Sequence, residues 1–392
     1  MKKIFKILII TLSILIIVYF ISTLIVPSII DKDHNKIRNL PPYTVSQEAQ
    51  NLYDSFDFIA DLHCDALLWK RNLLKDNSYG QVDIPKMLKA NVGIQGFTLV
   101  TKSPKGQNFD KNTGESDNIT SLFFVQGRPI SSWFNLTERA VAQCNDLMKF
   151  QKRSNQEFRV ILTKIDFQNY LKDKKNDKNI TAGFIGVEGA HALEGELKNI
   201  DVLYDAGVRM MAPTHFFDNK LGGSAHGITQ EGLTGFGKEV INKMIEKNMI
   251  IDIAHCSPKM IDDILSMSSK SIISSHTGVK GTCDNVRNLS DKHIKAIANS
   301  GGLIGIAMFK KAVCGSDAKA TAQAIKYTVD LVGANYVALG SDFDGSVATP
   351  FDVTGLPLIT EELIELNMSN ENIKKVMGEN VKDFLLKNLP DA

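Results

Sequence analysis

Five apolar, strand-like runs in this chain each end in a residue type that binds metal ions. The first covers residues 56–60 and leads into the sequence Asp-Leu-His-Cys-Asp, which contains His63 and Asp65. Because side chains two residues apart in a strand point to the same side, these two can offer a nitrogen and an oxygen to one ion. The four later runs end in Glu188, His255, His276 and Asp342. A single His-x-Asp pair is weak evidence, but five such endings in series indicate a metal site.

From residue 56 onward, apolar runs alternate with segments of helical period. The runs lie near residues 57–62, 92–100, 181–187, 208–212, 249–254, 271–275, 302–307 and 336–341. Eight strand-then-helix units over about 330 residues predict a (β/α)8 TIM barrel in preference to an open sheet. The carboxyl ends of barrel strands converge on one mouth, so we expect the five ligand-bearing ends to meet there.

The first 26 residues differ in composition from the rest. Three lysines precede an uncharged stretch, residues 7–26, which as a helix reaches about 30 Å, the thickness of a hydrocarbon core. We predict an N-terminal transmembrane helix that acts as an uncleaved signal anchor, with a cleaved signal peptide as the alternative. The lysines hold their end in the cytoplasm, which places the rest of the chain at the periplasmic or extracellular face of a bacterium.

The remaining sequence divides into three predicted parts. Residues 27–55 are polar, contain three prolines and show no period, which indicates a tether. Residues 56–392 are predicted to form the barrel, and within it the segment at about 102–137 is too long for a βα loop. We interpret that segment as an insertion over the barrel mouth.

Charge and cysteine content exclude some classes. A formal net charge of +1 gives no field that would attract nucleic acid. Five cysteines are an odd number without close pairing, which argues against a disulfide framework. Cys64 and Cys256 adjoin candidate ligands, but strand alternation turns them away, and we expect small buried residues there.

The ligand set itself predicts the type of metal centre. Three imidazoles and three carboxylates exceed the three protein ligands of a single catalytic zinc, and they suit two ions ~3.5–4 Å apart. Glu188 is the expected bridge, because a carboxylate has two oxygens to share.

Several further motifs match one known family in order along the chain. They are residues 61–65, 186–191, 212–219, 232–237, 252–257, 275–277, 285–291 and 340–345. With them, the chain resembles the membrane dipeptidase (renal dipeptidase) family of zinc peptidases over about residues 55–389. The resemblance implies a TIM-barrel hydrolase with two Zn²⁺ ions per chain. His63 and Asp65 would bind the first zinc and His255 and His276 the second, with Glu188 between them.

The same resemblance assigns roles outside the ligand set. Asp342 would accept a proton during catalysis, His215 would polarise the substrate, and Arg287 would bind its carboxylate. Asn219 follows His215 and either positions the substrate amine or forms a plain turn.

Three choices stay open on the residues alone. Asp344 faces the same way as Asp342 and competes with it as the reactive carboxylate. His226 lies in the same loop as His215, and only the motif favours the latter. His191 follows Glu188 closely, and we place it outside the ligand set.

The predicted function is hydrolysis of the peptide bond of dipeptides by a zinc-dependent enzyme through a metal-bridging hydroxide. The alternative is an amidohydrolase-type barrel acting on another amide, a lactone or an ester. A third class is a membrane-anchored binding protein without catalysis. The expected partners are a dipeptide substrate and the membrane, with no nucleic acid, and a homodimer stays open.

Overall fold

The computed structural model describes residues 2–268 and 272–391. Within these ranges a single parallel sheet has strands β1 (Ile59–Cys64), β2 (Val92–Val100), β3 (Phe158–Val160), β4 (Thr181–Glu188), β5 (Val208–Ala212), β6 (Ile250–Ile251), β7 (Ile273–Thr277), β8 (Leu303–Ile306) and β9 (Val337–Leu339). The strands are buried on both faces, as expected of a parallel sheet covered by helices.

The first half of the chain contributes helices α1 (Lys2–His34), α2 (Gln47–Asp54), α3 (Ile84–Lys89), α4 (Ile119–Val125), α5 (Ser131–Phe134), α6 (Leu136–Arg153), α7 (Lys164–Asn176) and α8 (Asn199–Asp205). The second half contributes α9 (Gly235–Glu246), α10 (Pro258–Met267), α11 (Asp291–Asn299), α12 (Lys310–Val313), α13 (Ala318–Val332), α14 (Pro357–Glu365), α15 (Asn370–Lys374) and α16 (Asn380–Asn388). A π-helical turn, Lys375–Glu379, joins the last two.

The sheet is curled, and among the described residues a single bridge connects its two ends. Its order is β6-β5-β4-β2-β1-β9-β8-β7, and every pairing is parallel. Asp252, directly after β6, forms a bridge with Ile273 of β7, and the Ile253 N–H donates to the Ile273 carbonyl at 2.8 Å. This α/β arrangement brings the carboxyl ends of the strands to one side of the molecule.

Each of the eight predicted apolar runs overlaps a strand. Ser271, where the sixth run begins, lies outside the described residues. The sequence did not indicate β3, which has three residues and pairs with the start of β4 outside the main order. A segment this short carries too few residues to show an alternation.

Side-chain caps fix where the helices after β6 and β7 begin. Ser257 accepts a hydrogen bond from the Met260 N–H, and Pro258 occupies the first turn of α10. Ser290 caps α11 through the His293 N–H in the same way. The first residues of these two helices are therefore fixed by hydrogen bonds within their own first turn.

The segment predicted as a tether, residues 27–55, is folded onto the sheet domain. Helix α1 continues through Pro27 to His34, Ile37 bridges to Thr349, and α2 packs against α14. Polar residues of this segment are buried with partners, since Asn35 donates to Asp31 at 2.8 Å and both are buried.

Helix α1 also contains the apolar segment of the N-terminus. It is the one helix among the described residues that is long and apolar enough, by length and composition, to cross a membrane. Residues 7–18 of its apolar stretch are exposed, whereas Tyr19 and Val26 are partly buried and Thr23 is buried.

The predicted insertion contains α4 and α5 and ends at the start of α6. The buried Arg139 of α6 holds it in place, donating to the Asp117 carboxylate at 2.8 Å and the Thr120 hydroxyl at 2.9 Å. These contacts make the segment a fixed part of the domain.

A disulfide joins Cys283 to Cys314, which are 31 residues apart in sequence. Cys64, Cys144 and Cys256 are free and buried. The sequence argument against disulfides therefore fails for one pair, because the loops after β7 and β8 lie side by side only in the folded sheet.

Candidate metal centre and active site

The five predicted metal ligands and Asp342 all lie at the carboxyl ends of strands and are buried. Three occupy the last two residues of a strand: His63 in β1, Glu188 in β4 and His276 in β7. The other three follow a strand closely: Asp65 after β1, His255 after β6 and Asp342 after β9. Curling of the sheet brings these six side chains together.

Glu188 is the centre of the cluster. Its Oε1 atom lies 3.0 Å from His255 Nε2, 3.3 Å from His276 Nε2 and 3.7 Å from His63 Nε2. Three groups of possible ligand atoms share these residues: His63, Glu188 and His276; Glu188, His215 and His255; His63, Asp65 and Asp342. One carboxylate thus touches every imidazole that the sequence nominated.

The donor atoms fit a metal centre. The Nε2 atom of His63 is buried without a hydrogen-bond partner, and the Nε2 atoms of His255 and His276 lie 3.0 Å apart. Imidazole nitrogens that converge at this spacing in a buried site can coordinate one metal ion together. A set of imidazole nitrogens and carboxylate oxygens is typical of zinc and related transition metals.

The pKa shifts of the candidate ligands also fit a metal centre. Burial, together with Asp65, raises the pKa of Glu188 well above its usual value. Burial lowers the pKa of His255 and His276, assisted by Arg287, so both rings are neutral, the form that binds metal. For His63, burial opposes charge, but Glu188 and Asp65 outweigh it and raise its pKa to about 10. The buried carboxylates of the cluster therefore have too little positive charge beside them.

Two hydroxyl groups orient the ligands from outside. The Ser275 hydroxyl lies 2.9 Å from His63 Nδ1 and 3.1 Å from His276 Nδ1, which directs both Nε2 atoms toward Glu188. The Thr98 hydroxyl donates to Asp65 Oδ1 at 2.5 Å. Neither hydroxyl group was predicted from the sequence, although Ser275 directly precedes the predicted ligand His276.

Two functional residues adopt a left-handed backbone. His255 and Asp342 both have φ of 62°. The backbone of His255 is held there because its carbonyl accepts hydrogen bonds from the Ala225 N–H at 2.8 Å and the Thr214 hydroxyl at 3.1 Å. The left-handed turn re-aims each side chain toward the cluster.

Asp342 and Asp344 have different surroundings. Asp342 lies with Oδ1 3.9 Å from His63 Nε2, and burial raises its pKa to about 7. The oxygens of Asp344 accept hydrogen bonds from the Gln81 N–H at 2.8 Å and the Val82 N–H at 3.1 Å, and they pair with Arg71. Asp344 is therefore occupied as a structural anchor, and Asp342 is free to exchange a proton.

The two candidate histidines, His215 and His226, both lie in the loop after β5 but have different surroundings. His215 Nε2 lies 3.3 Å from Glu188 Oε2 and its ring lines the cavity. His226 stacks on Phe216 with ring centroids 4.5 Å apart, and its Nδ1 lies 2.7 Å from the Phe109 carbonyl. The geometry favours His215.

Arg287 reaches the cluster from the loop after β7. Its Nη2 donates to the His276 carbonyl at 3.1 Å and lies 3.3 Å from His255 Nε2. Its Nε and Nη1 atoms are buried without a partner. Free donors on a buried cation beside the ligands are suited to an anionic group of a ligand.

Two residues considered in the sequence, Asn219 and His191, lie outside the cluster. Asn219 uses both polar atoms in a turn, donating to the Pro213 carbonyl at 2.7 Å and accepting from the Leu221 N–H at 2.8 Å. The structure thus favours the turn interpretation for Asn219. His191 belongs to none of the ligand groups; its ring lies 5.0 Å from that of Phe217, and burial lowers its pKa to about 3.

A cavity of about 650 Å³ opens over the cluster. Asp65, Glu188, His215, His255, Arg287 and Asp342 form its polar floor. Its walls are largely apolar and include Trp69, Phe109, Ile119, Leu122, Phe216 and Phe309. Helix α1 also contributes Ile30 and His34. A concave apolar space with converging polar groups at one end is the usual form of a substrate pocket.

Residues 46–385 match the model of one protein family, described as membrane dipeptidase (peptidase family M19). The chain belongs to this family. It is therefore a hydrolase of the metallo-dipeptidase class, and the resemblance inferred from the sequence motifs is confirmed.

Individual relatives agree with the family. An uncharacterised dipeptidase of Schizosaccharomyces pombe is 29% identical over 317 residues, covering 76% of this chain and 70% of that protein. A metallo peptidase of Rhodobacter sphaeroides, solved with a phosphinate mimic of the dipeptide L-Ala-D-Ala, has a TM-score of 0.70 at 20% identity, covering 86% of this chain and 100% of that one. The probable dipeptidase PvdM of Pseudomonas aeruginosa has a TM-score of 0.71 at 18% identity over 88% and 98%. These solved structures share the fold.

Proposed function

We propose that this metal-dependent dipeptidase uses two zinc ions, held by His63, Asp65, Glu188, His255 and His276. The observation that carries the proposal is the position of Glu188 Oε1, which lies within 3.0 to 3.7 Å of three imidazole nitrogens. A carboxylate placed between the two pairs of ligands can bind the ion held by each pair. Imidazole-rich sets favour zinc over magnesium or calcium, which prefer oxygen ligands.

Bound to these residues, the zinc pair would supply a bridging hydroxide as nucleophile and a Lewis acid for the peptide carbonyl. Asp342 would take the proton released during attack and deliver it to the nitrogen of the leaving amine. A group suits this exchange when its pKa lies near the working pH, and burial raises the pKa of Asp342 to about 7.

His215 would stabilise the charge that develops on the scissile carbonyl oxygen. Burial, with a contribution from His191, lowers the pKa of His215 well below its usual value, so the ring is neutral and carries one N–H donor. One well-placed donor of this kind contributes ~3–4 kcal/mol to transition-state stability.

Arg287 would bind the C-terminal carboxylate of the substrate through the donors that have no partner among residues 2–268 and 272–391. Because this guanidinium lies beside His255, the carboxylate would sit close to the bond that is cleaved. A longer peptide would have to place its next residue where Arg287 lies, which favours dipeptides.

We further propose that the curled sheet is a closed (β/α)8 barrel and that α1 anchors it to a membrane from outside the cytoplasm. The bridge between Asp252 and Ile273 supports closure. The Cys283–Cys314 disulfide supports an oxidising compartment, because such bonds are rare in the cytosol.

Metal analysis and a substrate panel test the proposal together. Purified full-length protein, supplemented with zinc, should contain two zinc ions per chain and release amino acids from L,L or L,D dipeptides, and chelation should stop release. One ion or none per chain would contradict the metal assignment. Equal turnover of tripeptides or dipeptide amides would favour the alternative, an amidohydrolase acting on other amides, lactones or esters.

A further inference from the structure

The insertion touches α1 inside its apolar stretch. The Tyr19 hydroxyl donates to the Phe124 carbonyl of α4 at 3.1 Å, and the two rings lie 4.9 Å apart. A Cβ atom at Gly127 would lie 3.4 Å from the Thr23 methyl group. The contact thus spans the last two turns of the apolar segment of α1.

This contact sets the depth of the insertion relative to any membrane that α1 crosses. Tyr19 precedes Val26, the end of the apolar stretch, by about 10 Å along the helix axis. If the insertion stayed wholly in water, only residues 7–18 would remain in lipid, about 18 Å of helix. A hydrocarbon core of about 30 Å needs nearly the whole stretch from 7 to 26. A crossing helix therefore carries the insertion into the outer part of the bilayer.

The surface of the insertion suits that position. Phe134 is 79% exposed, Ile130 73% and Phe124 44%. Arg128 is the only charged residue between Ile119 and Phe134, and its guanidinium is buried and pairs with Asp146. Exposed aromatic and aliphatic side chains without charge are typical of segments in the membrane interface.

We infer that residues 119–134 are a membrane-docking element that inserts into the outer leaflet beside α1. Lipid is the occupant because the apolar surface of this element is continuous with the exposed surface of α1, through Tyr19 and Phe124. The inference rests on the proposed membrane anchorage of α1.

Docking at this point fixes where the active site faces. Ile119 and Leu122 of α4 line the cavity, as do Ile30 and His34 of α1. The cavity is thus lined in part by the two elements that contact lipid, which places it beside the layer of water and headgroups at the membrane surface.

Site-directed spin labels in the full-length protein test the inference. We would reconstitute I130C and F134C variants in phosphatidylcholine vesicles and compare collisions with oxygen, which concentrates in lipid, and with an aqueous nickel chelate. The native cysteines are buried or disulfide-bonded, so the label attaches to the new residue. I165C is the matched control, since Ile165 is 54% exposed in α7, near the amino end of the strands.

Labels at 130 and 134 should collide several-fold more with oxygen than with nickel, and the label at 165 should show the reverse. Nickel accessibility at 130 and 134 equal to that at 165 would overturn docking. Spin–spin broadening that disappears on dilution with unlabelled protein would also overturn it, because a second copy would then cover the surface.

Two controls separate this inference from the proposals beneath it. An I14C label on α1 reports the anchor: if it is in lipid while 130 and 134 are in water, only the docking element is wrong. Dipeptide hydrolysis by each labelled variant reports the proposed catalytic function independently, since these positions lie outside the catalytic cluster.

Discussion

Arg71 joins the N-terminal helix α1 to the sheet domain, and its removal should destabilise the fold strongly. Its Nε lies 3.1 Å from Asp31 Oδ2 and its Nη2 lies 2.5 Å from Asp344 Oδ2, with all three side chains buried. The substitution Arg71→Met keeps the apolar stem and deletes the charge. Two carboxylates would then share a buried site without a cation.

The expected loss follows from how those carboxylates respond. Removing one partner of a buried ion pair costs about 3–5 kcal/mol. Burial raises the pKa of Asp31 to about 6 even with Arg71 beside it. Without Arg71 that pKa rises further, so Asp31 takes up a proton at neutral pH and a single unpaired charge remains. We therefore expect a decrease of about 3–5 kcal/mol in the free energy of unfolding, and not twice that amount.

Urea unfolding of the full-length protein in detergent, followed by tryptophan fluorescence, measures this loss. Trp69 is a local reporter because its indole N–H donates to the Asp344 carbonyl at 2.6 Å. Arg159→Met is the matched control, since Arg159 pairs with Asp173 at the surface, where such pairs contribute up to ~1 kcal/mol. If both variants unfold at similar urea concentrations, the reasoning about Arg71 is refuted.

The pH dependence gives an independent check on Asp31. Its folded pKa of about 6 exceeds the usual 3.8, so between these values the folded state binds more protons than the unfolded state. Stability should therefore fall as pH rises through this window. Asp31→Asn should remove that component of the pH dependence, and an unchanged profile would show that Asp31 is not the group responsible.

Three further outcomes are expected. Asp342→Asn should lower kcat by ~10²–10⁴-fold with zinc content retained, whereas Asp344→Asn should mainly lower stability; the reverse pattern, seen in assays and metal analysis, would exchange their roles. Arg287→Leu should raise KM for dipeptides at unchanged metal content, and an unaltered KM would remove it from the substrate site. Replacing Cys283 and Cys314 by serine should lower the free energy of unfolding by about 2–4 kcal/mol, measured against the oxidised wild type; equal stability would show that the bond contributes nothing.

The sequence predicted eight of the nine described strands and the clustering of the candidate ligands, because both depend on short-range rules. Residues such as His63 and Asp65 are recognisable from strand alternation, and their convergence follows from parallel strands sharing one end. The disulfide and the burial of Asp31 depend on which distant segments become neighbours in the fold. Ser275 illustrates the boundary, since its position beside His276 is visible in the sequence but its contact with His63, across the sheet, is not.

The left-handed conformations of His255 and Asp342 mean that folding and function make opposite demands on these two positions. A residue with a Cβ atom held there costs on the order of 1–2 kcal/mol, a cost that glycine would avoid. Selection for stability alone would therefore replace both residues. The His255 side chain also adds an unpaired polar atom, Nδ1, to a buried cluster, which raises the cost at that position further. A chain that keeps histidine and aspartate in these turns therefore accepts a less favourable backbone at two positions whose side chains line the cavity.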